Sequence, residues 1–136
     1  DCLLSRGLGD VYKRQIHDYI INNTKYDTAN SDSKSSTAYG ALINHKAVCG
    51  GYADAMALFL NKFNVPNFKI ASNTHVWNAV YIDSAWLHLD LTWDDPVSSS
   101  GEDTILHKFY LIDTPSLEKY KITDHEYDKT IYEELS

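Results

Sequence analysis

The sequence predicts an α+β fold in which one helix packs against an antiparallel sheet. Two patterns carry this. Ala53, Met56, Ala57, Leu60 and Phe63 recur at helical spacing just after Cys49. Residues 75–92, HVWNAVYIDSAWLHLDLT, then alternate like two strands joined by a tight turn. The chain has 136 residues, 43% of them hydrophobic and 23% charged, close to the globular average. That is enough for one domain to bury a core without disulfides.

Residues 1–15, DCLLSRGLGDVYKRQ, differ in character from the rest of the chain and resemble translated library-adapter sequence. They are too short and polar for a signal peptide. We read 1–15 as a non-native or disordered arm and 16–136 as one domain. Cys2 then drops out of the chemistry, and any export signal is hidden.

Ile16, Tyr19, Ile20 and Asn23 follow helical spacing, which predicts a helix over 16–24. Residues 27–37 are a polar loop, and a short helix is expected from Ala38 to Ile43. Asn44-His45-Lys46 breaks it. The next helix opens at Cys49-Gly50-Gly51 and stops at Asn64 and Pro66. Phe68 to Ala71 is a short strand. In the hairpin, pairing Ile82 with Ala85 sorts the side chains. Val76, Val80, Ile82, Leu87, Leu89 and Leu91 share one face; His75, Trp77, Tyr81, Trp86, His88 and Asp90 share the other. Asn78 is the misfit on the aliphatic face and needs a hydrogen-bond partner there. A long loop over Trp93–Gly101 is expected, then a strand over 105–112. Thr114 reads as the N-cap of a short helix with Pro115 first inside it. The tail from Asp124 is charged and weakly patterned.

Twelve basic against nineteen acidic residues give a net charge of −7, which argues against nucleic acid or anionic membrane as a partner. No apolar run approaches the roughly 18 residues of a membrane span. The six histidines show no His-x-x-x-His and the cysteines no Cys-x-x-Cys spacing, so no metal and no cofactor is expected. Asp94, Asp95, Glu102 and Asp103 read as a solvated acidic loop rather than a calcium site. Ser98-Ser99-Ser100 lacks a Gly-x-Ser-x-Gly context.

One constellation carries chemistry. Cys49 sits at a helix N-terminus, where the dipole and free N–H groups favour a thiolate. The hairpin register puts His75 and Asp90 diagonally across the ladder, roughly 7–8 Å apart, close enough for a carboxylate to orient the imidazole. Gly50 and Gly51 leave the backbone open to a substrate carbonyl, and the Cys49 N–H can donate to an oxyanion. Each part also has a plain structural reading: Cys49 as a small core residue, His75 as a packed strand histidine, Asp90 as a turn cap. Spacing alone does not bring the helix to the hairpin.

The stretches AVCGGYADAMALFL and HVWNAVYIDSAWLHLDLTWDDP resemble the core of the transglutaminase-like superfamily, its bacterial members most closely. KFYLIDTPSLEKYKITDHEYD is similar to that family's trailing strand and acidic-His segment. The turn here is Asp83-Ser84-Ala85, where the family usually has glycine. The resemblance implies a papain-like fold with Cys49 as nucleophile, His75 as general base then acid, and Asp90 orienting His75. Tyr39, Gly50 and Trp77 are expected near the cleft, Trp77 either shielding the Cys–His pair or packing the core. The implied activity is thiol-dependent acyl transfer on a peptide, protein or cell-wall-type amide. Water as acceptor makes a peptidase or amidase, which the resemblance favours; an amine makes a cross-linking transglutaminase. A non-catalytic module binding peptide or glycan through Trp77, Trp86 and the tyrosines is the competing class. The resemblance also favours a secreted or cell-surface location.

Overall fold

A computed structural model of the chain describes residues 2–95 and 105–135, with side chains from residue 11 onward. Helix α1 (Cys2–Asn23) is continuous and begins well before residue 16. Its buried face is Ile16, His17, Ile20 and Ile21, whereas Tyr19 and Asn23 point outward. Strand β1 (Lys25–Tyr26) pairs in parallel with β2 (Lys46–Ala47), closing the polar loop between them. The Asp27 carboxylate organises that loop, accepting from Ser31 Oγ, the Asp32 N–H and Ser35 Oγ at 3.2, 3.2 and 2.7 Å. Helix α2 (Ala38–Leu42) is capped by Thr37, whose hydroxyl accepts from the Gly40 N–H.

Helix α3 (Cys49–Lys62) buries Tyr52, Ala53, Ala55, Met56 and Leu60. Phe63 falls at its C-cap and is exposed, because the helix ends just short of the apolar spacing. Asn64 then takes φ 58, a conformation asparagine tolerates.

Strands β3 (Asn67–Ala71), β4 (Val76–Ile82), β5 (Ala85–Leu89) and β6 (Tyr110–Ile112) form an antiparallel sheet in that order. The β4–β5 register is the expected one, running from Ile82↔Ala85 to Asn78↔Leu89. Asp83 and Ser84 both have positive φ, 53 and 68. A two-residue hairpin needs that backbone, and glycine adopts it more readily. Asn78 finds its partner: Nδ2 donates to the Ala53 carbonyl at 3.0 Å, tying β4 to α3.

Both faces of the sheet are covered. Val80, Leu89 and Leu91 pack with Ile20, Met56 and Leu60 under α1 and α3. Ile70, Trp77 and Ala79 pack with Phe109, Leu117 and Leu135 on the other side. The second layer comes from the C-terminal segment: helix α5 (Thr114–Lys119) and, partly from the weakly patterned tail, 3-10 turns at Thr123–His125 and Glu133–Leu135. No described helix is long and apolar enough to cross a membrane.

Three expectations need correction. The strand over 105–112 shrinks to Tyr110–Ile112. After Leu89 the chain leaves the sheet as helix α4 (Leu91–Asp94), so residues 105–109 have no strand to pair with. They bond to α4 instead: the Leu106 N–H to the Asp94 carbonyl and the Phe109 N–H to Asp94 Oδ1. The long loop therefore begins as a helical turn, and Ser98–Gly101, Glu102 and Asp103 lie outside the described residues. Finally, Asp113 rather than Thr114 caps α5, accepting from the Ser116 N–H at 2.8 Å. The Thr114 hydroxyl donates to the Leu135 carbonyl instead.

Gly51 is required by close approach. A Cβ there would lie 2.3 Å from the Ser35 carbonyl oxygen and 2.8 Å from Ala47 Cβ. Backbone cannot step aside as a flexible side chain can. Gly51→Ala is therefore expected to destabilise the fold by about 2 kcal/mol, outweighing its gain in helix propensity. Gly50→Ala meets its nearest neighbour at 3.2 Å and should cost less. Urea midpoints of the two variants test the difference.

Candidate active site

Cys49, His75 and Asp90 come together where the α3 N-terminus meets the end of the hairpin. Cys49 opens α3 after Val48, which offers no side-chain cap. The sulfur is hydrogen-bonded to His75 and approached by the backbone N–H groups of Val76 and Gly50. His75 precedes β4 and is fixed by its own backbone: its N–H donates to Ser72 Oγ, and its carbonyl accepts from the Ser72 N–H. Its Nε2 lies 2.7 Å from Asp90 Oδ2, which leaves Nδ1 for the sulfur.

Asp90 reaches His75 from a helix cap rather than from a strand. The β4–β5 ladder ends at Asn78↔Leu89, and Asp90 is the N-cap of α4, its Oδ1 accepting from the Trp93 N–H. The expected diagonal contact is thus made, but just beyond the ladder.

A second histidine completes the cluster. His125 Nε2 also lies 2.7 Å from Asp90 Oδ2. Its ring is enclosed by Trp77, Trp93 and Phe109, with centroids 5.1, 5.6 and 5.1 Å away. His125 Nδ1 is buried without a hydrogen-bond partner. A bare lone pair is the cheapest occupant of that position, which assigns the proton to Nε2 and makes it the donor to Asp90. The 123–125 turn is held in turn by Ser72 and Thr74, whose hydroxyls donate to the Asp124 carbonyl and to Asp124 Oδ1, both at 2.6 Å.

The electrostatics follow from these contacts. Burial pushes the Asp90 pKa up, but hydrogen bonds from His125 and His75 outweigh it and hold the carboxyl below its ordinary value. Burial would lower His75, yet Asp90 and Cys49 together raise it to about 10. Burial opposes ionisation of Cys49, and the hydrogen bonds from His75 and Val76 reverse that, leaving the thiol below its ordinary value. The arrangement therefore favours a thiolate beside an imidazolium, poised for nucleophilic chemistry.

A cleft of about 350 Å³ opens at the sulfur, lined by Tyr26, Cys49, Thr74, His75, Thr92, Trp93, Asp95 and Asp124. Among the other expected residues, Gly50 lies beside the sulfur through its N–H. Trp77 is only 1% exposed and stacks on His75 at 5.6 Å from beneath, with Nε1 donating to His88 Nδ1. Tyr39 stands half exposed on α2 under the Lys34 ammonium. Neither aromatic lines the cleft. Sequence reasoning missed His125, Tyr26, Asp95 and Asp124. The acidic-His segment was the one signal for His125. The Tyr26 phenol is kept protonated, first by burial and then by the negative charge of Cys49 and Asp124.

Two outcomes are expected. Iodoacetamide should alkylate Cys49 with a rate that has already levelled off below the ordinary thiol range near ~8.5. The lowered Cys49 and raised His75 keep the ion pair intact from the thiol's pKa up to about 10. His125→Leu removes one donor from Asp90 and should move the alkylation profile to higher pH by about one unit, equivalent to ~1.4 kcal/mol. Asp90→Asn should move it further. An unmoved profile in a folded His125→Leu protein would assign that residue to packing alone.

Residues 12–91, more than half of the chain and including Cys49, His75 and Asp90, match the Transglutaminase-like superfamily. Among solved structures, a TGase shares 19% identity at a TM-score of 0.54, covering 79% of this chain and 39% of its own. A protein from Cytophaga hutchinsonii, provisionally described as a cysteine protease, shares 22% identity at a TM-score of 0.49 over 69% of this chain and 34% of its own. The chain thus spans little more than a third of the length of these structures, and the likeness to the TGase is one of fold. No curated protein matches it. With a helix-borne cysteine set against the end of an antiparallel sheet, and a family match that spans both, this chain belongs to the transglutaminase-like superfamily and has its papain-like α+β fold.

Proposed function

We propose that this protein performs thiol-dependent acyl transfer on amide substrates, with Cys49 as nucleophile, His75 as proton carrier and Asp90 as the group that orients it. The observation supporting this most is that one imidazole, His75, is held by Asp90 at 2.7 Å and lowers the thiol pKa of Cys49 on the same cleft. The Cys49 thiolate adds to the amide carbonyl. The His75 imidazolium then protonates the leaving amine as the C–N bond breaks, and a thioester remains on Cys49. In the second half His75 takes a proton from the acceptor, which attacks the thioester; the C–S bond breaks and the thiolate–imidazolium pair is restored.

Two groups answer the need for oxyanion donors. One is the N–H at the start of α3. The other is the phenol of Tyr26, which shares the cleft with Cys49 and stays protonated. Tyr26→Phe should lower kcat about 10²-fold with little change in KM, the behaviour of a donor that acts mainly in the transition state.

Hydrolysis of a peptide or cell-wall-type amide is the favoured branch, since the cleft is open to water. One observation favours the second branch. Asp95 and Asp124 put carboxylates on the cleft wall, where they would draw in a cationic amine such as a lysine side chain. Mass spectrometry with peptide and glutamine donors, with and without added amine, separates the branches. A transient thioester adduct on Cys49 is expected, absent in Cys49→Ala, and released as acid or as amide according to the acceptor. Turnover that survives Cys49→Ala would overturn the reading.

A further inference from the structure

Away from the cleft, α1 and the segment before β6 build a second cluster. Asp18 Oδ1 lies 2.8 Å from His17 Nδ1 and 2.7 Å from His107 Nε2. The three donor atoms all fall within 4.8 Å of one another. His17 is fully buried, while the side chains of Asp18 and His107 are 32% and 29% exposed, so solvent reaches the point between them. Behind His17, Nε2 lies 2.9 Å from Oδ2 of the buried Asp94. A carboxylate in that position holds the proton on the nitrogen it faces and turns the other lone pair outward, the usual setting of a metal-bound histidine. With that proton given to Asp94, a neutral His17 presents a bare Nδ1 to a carboxylate oxygen. A cation between them removes the repulsion: either a proton on Nδ1 or a metal ion.

We propose that His17 Nδ1, the Asp18 carboxylate and His107 Nε2 bind a divalent transition-metal ion of the zinc class, with water completing the shell. Two imidazoles and one carboxylate suit zinc. Asp18 and His107 lie 89 positions apart, so local histidine spacing, which led to the expectation of no metal, is blind to them. The ion clamps α1 to residues 105–109. Phe109 of that segment accepts from the Asp90 N–H and donates to Asp94 Oδ1, both at 2.9 Å, so the clamp stiffens the frame beneath His75.

The full chain carrying Cys49→Ser, which removes the competing thiolate, is titrated with Zn²⁺ by calorimetry and with Co²⁺ by visible absorption. One equivalent is expected to bind, with d–d bands and no thiolate charge-transfer band, and saturating Zn²⁺ is expected to raise the melting temperature. His107→Ala in that background alters a partly exposed side chain, and its fold is checked by circular dichroism. It should weaken binding at least tenfold and abolish the thermal shift; Asp18→Asn should do likewise. Absence of stoichiometric binding in the Cys49→Ser protein would overturn the proposal. So would binding that His107→Ala leaves unchanged, which would move the ion to His75, Asp90 and His125.

Discussion

The site depends on one buried carboxylate. Asp90 stands where the chain stops being a strand, and all its polar capacity is used within a few ångströms. Oδ1 caps α4, Oδ2 takes two imidazoles, and the backbone N–H is bound by Phe109. An ion in this setting is costly unless every lone pair is occupied. The surrounding turns are arranged to occupy them: Ser72 positions His75, Asp124 positions the turn bearing His125, and Asp94 positions Phe109. Removing any one of these supports leaves charge uncompensated inside the protein, so the neighbourhood is coupled rather than additive.

A second chain of hydrogen bonds runs beneath the first. Trp77 Nε1 donates to His88 Nδ1, which obliges His88 to carry its proton on Nε2 and donate it to Thr114; Thr114 passes on to the Leu135 carbonyl. His88 is held neutral, its pKa pushed down to about 4, chiefly by burial and then by the neighbouring His125. The indole that stacks against His75 is thereby anchored to the 3-10 turn at Glu133–Leu135. Aromatic packing and tautomer choice act together, and the imidazole facing Cys49 rests on a floor with little freedom to tilt.

The parts legible in the sequence are those whose neighbours are local. The hairpin register could be read because a one-residue slip would mix its two faces, and the placement of Cys49 because the α3 apolar spacing begins beside it. The site residues that went unread arrive from segments without period. Tyr26 lies on a two-residue strand, and His125 on a single 3-10 turn whose position is set by side-chain contacts to Ser72 and Thr74. Apolar content misled twice. It extended β6 backward over residues that Asp94 captures, and it gave Phe63 to a helix that had already ended. In both cases a capping or turn geometry prevailed over propensity.

The tail that forms the second layer has a consequence for the order in which the molecule is made. Cys49, His75 and Asp90 leave the ribosome before the residues that enclose Asp90 from the far side. Until the Thr123–His125 turn has emerged and docked, one acceptor position of Asp90 faces water and the Trp77 ring is uncovered. Cys49 is synthesised early, but the environment of Asp90 is finished late. Reactivity of the thiol is thereby tied to completion of the fold through Asp90, which His125 helps to hold ionised.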